Sequence, residues 1–338
     1  MQWRFGVRLV AVGLILIVLA AASWTVVAVH LVAPRAGLGD FVALIESDRG
    51  GDDSWVARRV HSDERINILL LARGGAGHDS PDFTDTMLVL SIRPSTHRAT
   101  VISLPRWLWV EIPAPQNGVV QGKLFTAYAL AAGQDPNFLQ ARWRTPTGQG
   151  DLAAATVSAT IGQPIDAWIA IDLKGFEALI DALGGLTVTI PETLDDPNYP
   201  TEDDRTVHIH FDAGTQTLDG KRALQYARSR LSTSERDRSR RQEIVLSAMF
   251  AALQEMSLSP AAIAAMGPLK DGLRTDLLPV DASALRNVIA GMKQQDVKRI
   301  TLEDSTLLKT TELEDQPVLV PASGSWSEFQ AYIAGELP

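Results

Sequence analysis

The sequence predicts an α/β fold of three layers, a sheet covered by helices on both faces, preceded by one N-terminal transmembrane helix. Three observations point there: short apolar runs that are hydrophobic on both faces, amphipathic helical patterns interleaved with them, and a long uncharged stretch near the start. The chain has 338 residues, 46% hydrophobic and 21% charged, which excludes disorder, collagen and coiled coil. A net charge of −9 argues against a general nucleic-acid coat, so no nucleic-acid partner is expected. Without cysteine there is no disulfide, thiolate metal site or cysteine nucleophile.

Leu9–Val29 is uncharged over 21 residues, enough helix to cross a hydrocarbon core of about 30 Å. Arg4 and Arg8 precede it, and basic residues keep that flank in the cytoplasm, which places the remainder outside the cell membrane. Ala20–Ser23 offers the small residues a signal peptidase accepts, but the apolar run continues through Trp24–Val29, which favours an uncleaved single-pass anchor. The expected organisation is therefore a cytoplasmic tip and anchor over 1–33 and an extracytoplasmic spacer over 34–64 with at most one short helix. A main domain over 65–256 and a C-terminal extension over 257–338 that completes it follow.

Strands are expected at Ile66–Leu71, Thr86–Ile92, Thr100–Leu104, Ala167–Ile171 and Leu186–Ile190, each apolar, short and bounded by Gly, Pro or Asp. Helices are expected at Lys123–Ala132, Leu152–Ile161, Leu173–Leu183, Asp219–Ser229, Arg238–Met256 and Ala282–Met292, where apolar residues recur every three or four positions. The tail reads as one or two strands, Arg299–Leu302 and Val318–Val320, and a closing helix at Trp326–Ile333.

Three polar clusters interrupt these elements. Lys221–Arg241 carries eight cations against Glu235 and Asp237. Arg238, Arg240 and Arg241 would crowd the positive first turn of a helix, and a bound phosphate would relieve that repulsion. Arg238, Arg241 and Gln242 share one helix face. Ala72–Thr86 combines glycines at 74, 75 and 77 with His78, Asp79, Asp82 and Asp85, hard oxygen donors that suit magnesium, although such loops are also common turns. In Ser103–Pro113, Arg106 follows a strand directly, a placement that serves either ligand binding or a sheet-capping ion pair.

In this order the pieces resemble the LytR-CpsA-Psr family of cell-envelope proteins. The matching stretches include NILLLARGGAGHDSPDFTDTMLVLSIRP, ATVISLPRWLWVEIP, GKLFTAYA and LDGKRALQYARSR followed by RDRSRRQEIV, within Ile66–Leu253. The resemblance implies an α/β/α sandwich with a mixed central sheet. It also implies a phosphotransferase that moves a glycopolymer from a polyprenyl-pyrophosphate carrier onto peptidoglycan. By position, it implies that Asp85 helps hold Mg2+ and that Arg106, Arg228 and Arg230 act on the pyrophosphate. It further implies that Lys123, together with Arg238, Arg241 and Gln242 in the run that opens with Asp237, binds it. Three positions depart from the family pattern: Trp107 stands where an aspartate follows the arginine, Phe125 replaces an asparagine, and the first loop's early aspartate is absent, with Asp79 as the substitute metal ligand. A non-catalytic polyprenyl-phosphate or wall-polymer binder and a polyprenyl-pyrophosphate phosphatase are the alternative readings.

Overall fold

The computed structural model describes residues 54–75, 80–133, 137–201, 205–229, 237, 240–241, 244–245, 248–249, 251–252, 272–290, 292–302 and 305–338. The expected anchor over 9–29 lies outside them, as does most of the spacer. Among the described residues no helix is long and apolar enough to cross a membrane. The chain divides into two compact units, one of Asp53–Ile171, Arg274–Leu278 and Gly291–Pro338, the other containing Asp172–Leu273 and Pro279–Ala290.

The first unit opens with helix α1 (Trp55–His61), the one short helix expected of the spacer, whose first turn is capped by the Ser54 hydroxyl at 3.0 Å from Val56 N. Strands β1 (Ile66–Arg73), β2 (Thr84–Arg93) and β3 (Arg98–Ser103) follow, then β4 (Trp109–Ile112) and β5 (Val120–Lys123). A 3-10 turn over Leu124–Thr126 leads into α2 (Ala127–Leu130), and α3 (Gly148–Ile161) precedes β6 (Ala167–Asp172). The helix expected over Lys123–Ala132 is thus divided, because Lys123 pairs with Trp109 as the last residue of β5.

The central sheet has the order β11 (Leu273–Thr275), β6, β1, β2, β3, β12 (Val297–Thr301). Antiparallel β1–β2–β3 pairing and parallel β3–β12 pairing make it a mixed sheet. Its middle strands are buried almost without a break, Ile66–Leu71 and Met87–Ile92 throughout, as two covered faces require. On one side Leu69, Leu71, Val89 and Ile102 join a core with Tyr128, Leu152, Val157, Trp168 and Phe329. The hairpin β13 (Leu308–Leu313) and β14 (Gln316–Pro321) and the closing helix, Trp326–Glu336, complete the unit.

The second unit holds a helix at Leu173–Ala182, capped by Asp172 Oδ1 at 2.8 Å from Gly175 N. Two antiparallel pairs follow, β7 (Leu186–Ile190) with β10 (Gly214–Leu218) and β8 (Leu194–Pro200) with β9 (Thr206–Phe211). The helix Gly220–Arg228 starts at Asp219, whose carboxylate accepts from Arg222 N at 2.7 Å, and packs on Leu173–Ala182. A further helix spans Pro279–Ala290. Of the helix expected at Arg238–Met256, residues 240–241, 244–245, 248–249 and 251–252 are helical, and its remainder lies outside the described residues.

Gly220 explains one glycine of the LDGKRALQYARSR stretch. A Cβ there would stand 2.1 Å from the Glu177 carbonyl oxygen of the neighbouring helix, and its own N–H donates to Asp181 Oδ1 at 2.7 Å. The two helices can therefore approach only with hydrogen at this position. Gly220→Ala is expected to lower stability by about 1–3 kcal/mol through overpacking, measured by denaturant titration.

Candidate functional site

The candidate residues are distributed over both units. In the first, the β1–β2 ladder runs in register from Ile66↔Ile92 to Ala72↔Thr86 and then shifts, with Arg73 opposite Thr84. Asp85 is the residue left over by that shift. An extra residue in a ladder bends the strand and redirects its side chain. Asp85 is 56% exposed at the polar start of a strand whose next turn is buried, and it forms an ion pair with Arg106. In the loop before it, Gly75 adopts φ +82° and donates to the Pro81 carbonyl at 2.8 Å, while buried Arg73 lies 3.8 Å from Asp82. His78 and Asp79 lie outside the described residues.

Arg106 sits in a turn closed by Leu108 N to the Pro105 carbonyl at 3.2 Å. Three more carbonyls of this turn are held from outside it: Arg106 O by Phe125 N at 3.2 Å, Trp107 O by Leu319 N at 3.0 Å and Leu108 O by Leu124 N at 2.8 Å. The guanidinium is therefore presented from a fixed backbone, although it leaves the sheet on a short loop.

Trp107 has a definite role in this arrangement. The Arg106 guanidinium carbon lies 4.6 Å from its ring centroid and Lys123 Nζ 4.4 Å from it, so one indole serves two cations. Lys123 is 8% exposed and donates to Gln316 Oε1. An amide and an aromatic ring hold its charge without cancelling it, where a carboxylate would have formed a neutral pair. Phe125 packs edge-on against Trp107 at 5.6 Å and Phe83 at 4.9 Å. The two positions at which the sequence resemblance leads one to expect an aspartate and an asparagine are thus in contact with each other, both aromatic in this chain.

In the second unit Arg228 ends its helix beside Tyr199. Burial pushes the Tyr199 phenol up, opposed by the charge and hydrogen bond of Arg228. The next residue, Ser229, is buried and donates to the fully buried Asp196 carboxylate at 2.6 Å. Arg241 is also buried. Its Nε donates to the Tyr226 carbonyl at 3.0 Å and its Nη2 to the Ser229 carbonyl. The crowding expected of Arg241 at a helix start is relieved here by carbonyls at the end of the preceding helix, whose partial charge is negative. Burial likewise pushes Tyr226 up, against the charges of Arg241 and Arg240. Asp237 and exposed Arg240 are helical, whereas Arg230, Arg238 and Gln242 lie outside the described residues.

A model described as the LytR_cpsA_psr family matches residues 45–320. The chain belongs to the LytR_cpsA_psr family. A relative from Oceanobacillus iheyensis, named polyisoprenyl-teichoic acid–peptidoglycan teichoic acid transferase TagU, is 31% identical over 219 residues, 63% of this chain and 59% of that protein. The match thus spans less than two thirds of that relative's length. The crystal structure of Bacillus subtilis TagV superposes with a TM-score of 0.56 at 21% identity, covering 81% of this chain and 98% of that one. A structure described as TagT bound to LI-WTA gives 0.55 at 23% identity, covering 82% and 92%. These likenesses show the mixed α/β fold of the family.

Three outcomes follow from the contacts. Arg241→Ala strips charged donors from two buried carbonyls and is expected to cost about 1.5–3 kcal/mol for each hydrogen bond, whereas Arg106→Ala, at a half-exposed ion pair, leaves thermal melting within about 1 kcal/mol of the parent. Trp107→Ala removes a ring shared by two cations and is expected to cost about 1–3 kcal/mol, read by chemical denaturation.

Proposed function

We propose that this chain is a membrane-anchored extracytoplasmic phosphotransferase that moves a glycopolymer from a polyprenyl-pyrophosphate carrier onto peptidoglycan. The observation that carries the reading is the pairing of Asp85 with Arg106 beside Lys123, two cations and one exposed carboxylate on pinned backbone at family-motif positions. The transferase names of the relatives support it, as does the 21-residue apolar run over 9–29 as the anchor, with the chain beyond it outside.

Phosphoryl transfer asks a protein mainly for positioning and charge neutralisation. In the first unit Arg106 and Lys123 are the pyrophosphate donors; in the second, Arg228, Arg230, Arg238 and Gln242 are assigned the same chemistry by their positions in the family motifs alone. Arg241 enters through the turn it holds after Arg228. The acceptor hydroxyl attacks the glycopolymer-linked phosphorus, its oxygen forms the new P–O bond as its proton passes to solvent, and the anhydride P–O bond breaks, its electron pair leaving with polyprenyl phosphate. Asp85, with Asp79, would hold Mg2+, which takes few protein donors and completes its shell with phosphate oxygens and water. The exposed Asp85 carboxylate fits that demand, and the ion when bound supplies further neutralisation of the pyrophosphate.

Trp107 in place of an aspartate favours a second reading, a binder of polyprenyl phosphate or wall polymer without turnover. The full chain incubated with a polyprenyl-pyrophosphate-linked oligosaccharide, Mg2+ and peptidoglycan fragments, followed by mass spectrometry, decides between them. Transfer to peptidoglycan that vanishes in Asp85→Ala is expected. Lipid retained intact supports the binder, and phosphate release with water alone as acceptor makes the protein a pyrophosphatase. Arg228→Ala and Arg238→Ala are each expected to weaken binding of the pyrophosphate lipid by about 1.5–3 kcal/mol with the fold intact. Unchanged affinity in both would sink the phosphate-clamp assignment.

A further inference from the structure

The β8–β9 pair carries a constellation that the transfer reaction does not use. Along β9 the side chains alternate, Ile209 and Phe211 buried and His208 and His210 outward, so the histidines share one face two residues apart. Asp195 on β8 stands directly across from His210. Its Oδ1 accepts from His208 Nε2 at 2.7 Å and from His210 Nδ1 at 2.8 Å, and the three donor atoms lie within 4.8 Å of one another. All three side chains are about half exposed, at 55%, 58% and 49%.

Two further contacts distinguish this from a chance surface cluster. His210 Nε2, the ring nitrogen turned away from Asp195, donates to Asp212 Oδ1 at 3.2 Å. A carboxylate behind a histidine in this way keeps the proton on that nitrogen, so that the opposite nitrogen is the one able to exchange its proton for a metal, the arrangement that orients metal-bound imidazoles. The His210 carbonyl meanwhile accepts from Arg222 Nη2 at 2.8 Å, and the Arg222 guanidinium covers the Phe211 ring at 4.0 Å. The strand bearing the histidines is thus tied down on its backbone and on its buried face.

We propose that Asp195, His208 and His210 bind a divalent transition-metal ion of the zinc class, with Asp212 as the positioning carboxylate behind His210. Two imidazoles and a carboxylate suit zinc rather than magnesium or calcium, which take oxygen shells. A tetrahedral ion at about 2.0–2.2 Å from each donor separates donors by about 3.4 Å, against 2.7 and 2.8 Å from Asp195 Oδ1 to the two ring nitrogens here, a small shift for half-exposed side chains. On binding, His210 Nδ1 gives up its proton to solvent and the ring keeps the one on Nε2 facing Asp212, while the His208 Nε2 proton is exchanged through solvent so that the neutral ring carries its proton on Nδ1. Three protein donors leave the fourth position to water or an anionic group.

The test is calorimetric titration of the untagged full chain with ZnCl2. One equivalent is expected, unaffected by excess MgCl2, about tenfold or more weaker in Asp212→Asn, and lost in the His208→Ala/His210→Ala double variant. The same titration followed by imidazole 15N resonances of the parent protein reads the ligands directly, so a double variant that fails to fold leaves the question decidable. Zinc-dependent shifts of both His208 and His210 support the site. No saturable zinc uptake, undiminished uptake by the double variant, or unmoved resonances of these two histidines overturns it.

Discussion

Burial of the β1–β2–β3 sheet on both faces is the constraint from which the chemistry of the first unit follows. Strands buried on both faces admit small polar side chains such as Asn67, Ser91 and Thr100 but no interior charge, so charged side chains are driven to strand ends and to the turns beyond them. Asp85 occupies the first such place and Arg106 the second. A one-residue offset in the ladder turns the carboxylate outward, and four tethered carbonyls hold the turn that carries the guanidinium. The ion pair between them thus rests on main-chain hydrogen bonds more than on its own electrostatic strength, which for half-exposed charges is small.

The second unit solves a different problem, that of concentrated positive charge. Eight cations within 21 residues repel one another, and the protein absorbs part of that repulsion internally. Buried Arg241 answers carbonyls at a helix end, and Arg228 lies beside the Tyr199 phenol. Guanidiniums in one run are therefore not alike: Arg241 holds backbone carbonyls, whereas Arg240 is exposed. Sequence spacing alone treats them as equivalent.

The sheet was legible because its signal is strong: apolar runs at 66–71 and 86–92 admit no other covered arrangement, and Leu186–Ile190 was found to the residue. The β4–β5 and β8–β9 hairpins were not, nor was β13 opposite the expected strand at Val318–Val320, because each is short and half polar, and Asp195–Asp196–Pro197–Asn198 reads as a turn while lying inside β8. Asp85 and Arg106 could be nominated from motif order, yet their contact depends on a ladder offset that no periodicity reveals. Trp107 and Phe125 could be seen only as losses of polar groups, since their packing on each other and on two cations is a tertiary fact. The histidine pair was missed for the same reason as its hairpin. A His-x-His alternation acquires meaning only when the strand opposite supplies Asp195.

An indole held between a guanidinium and an ammonium is also an optical instrument. Excitation shifts electron density across the tryptophan ring, so its emission colour tracks the electric field of its two charged neighbours. An anion that draws Arg106 or Lys123 away from the Trp107 face changes that field at once, before any bond is made or broken. The chain carries eight tryptophans, so the Trp107 signal is the part of the emission that differs between the parent and Trp107→Phe.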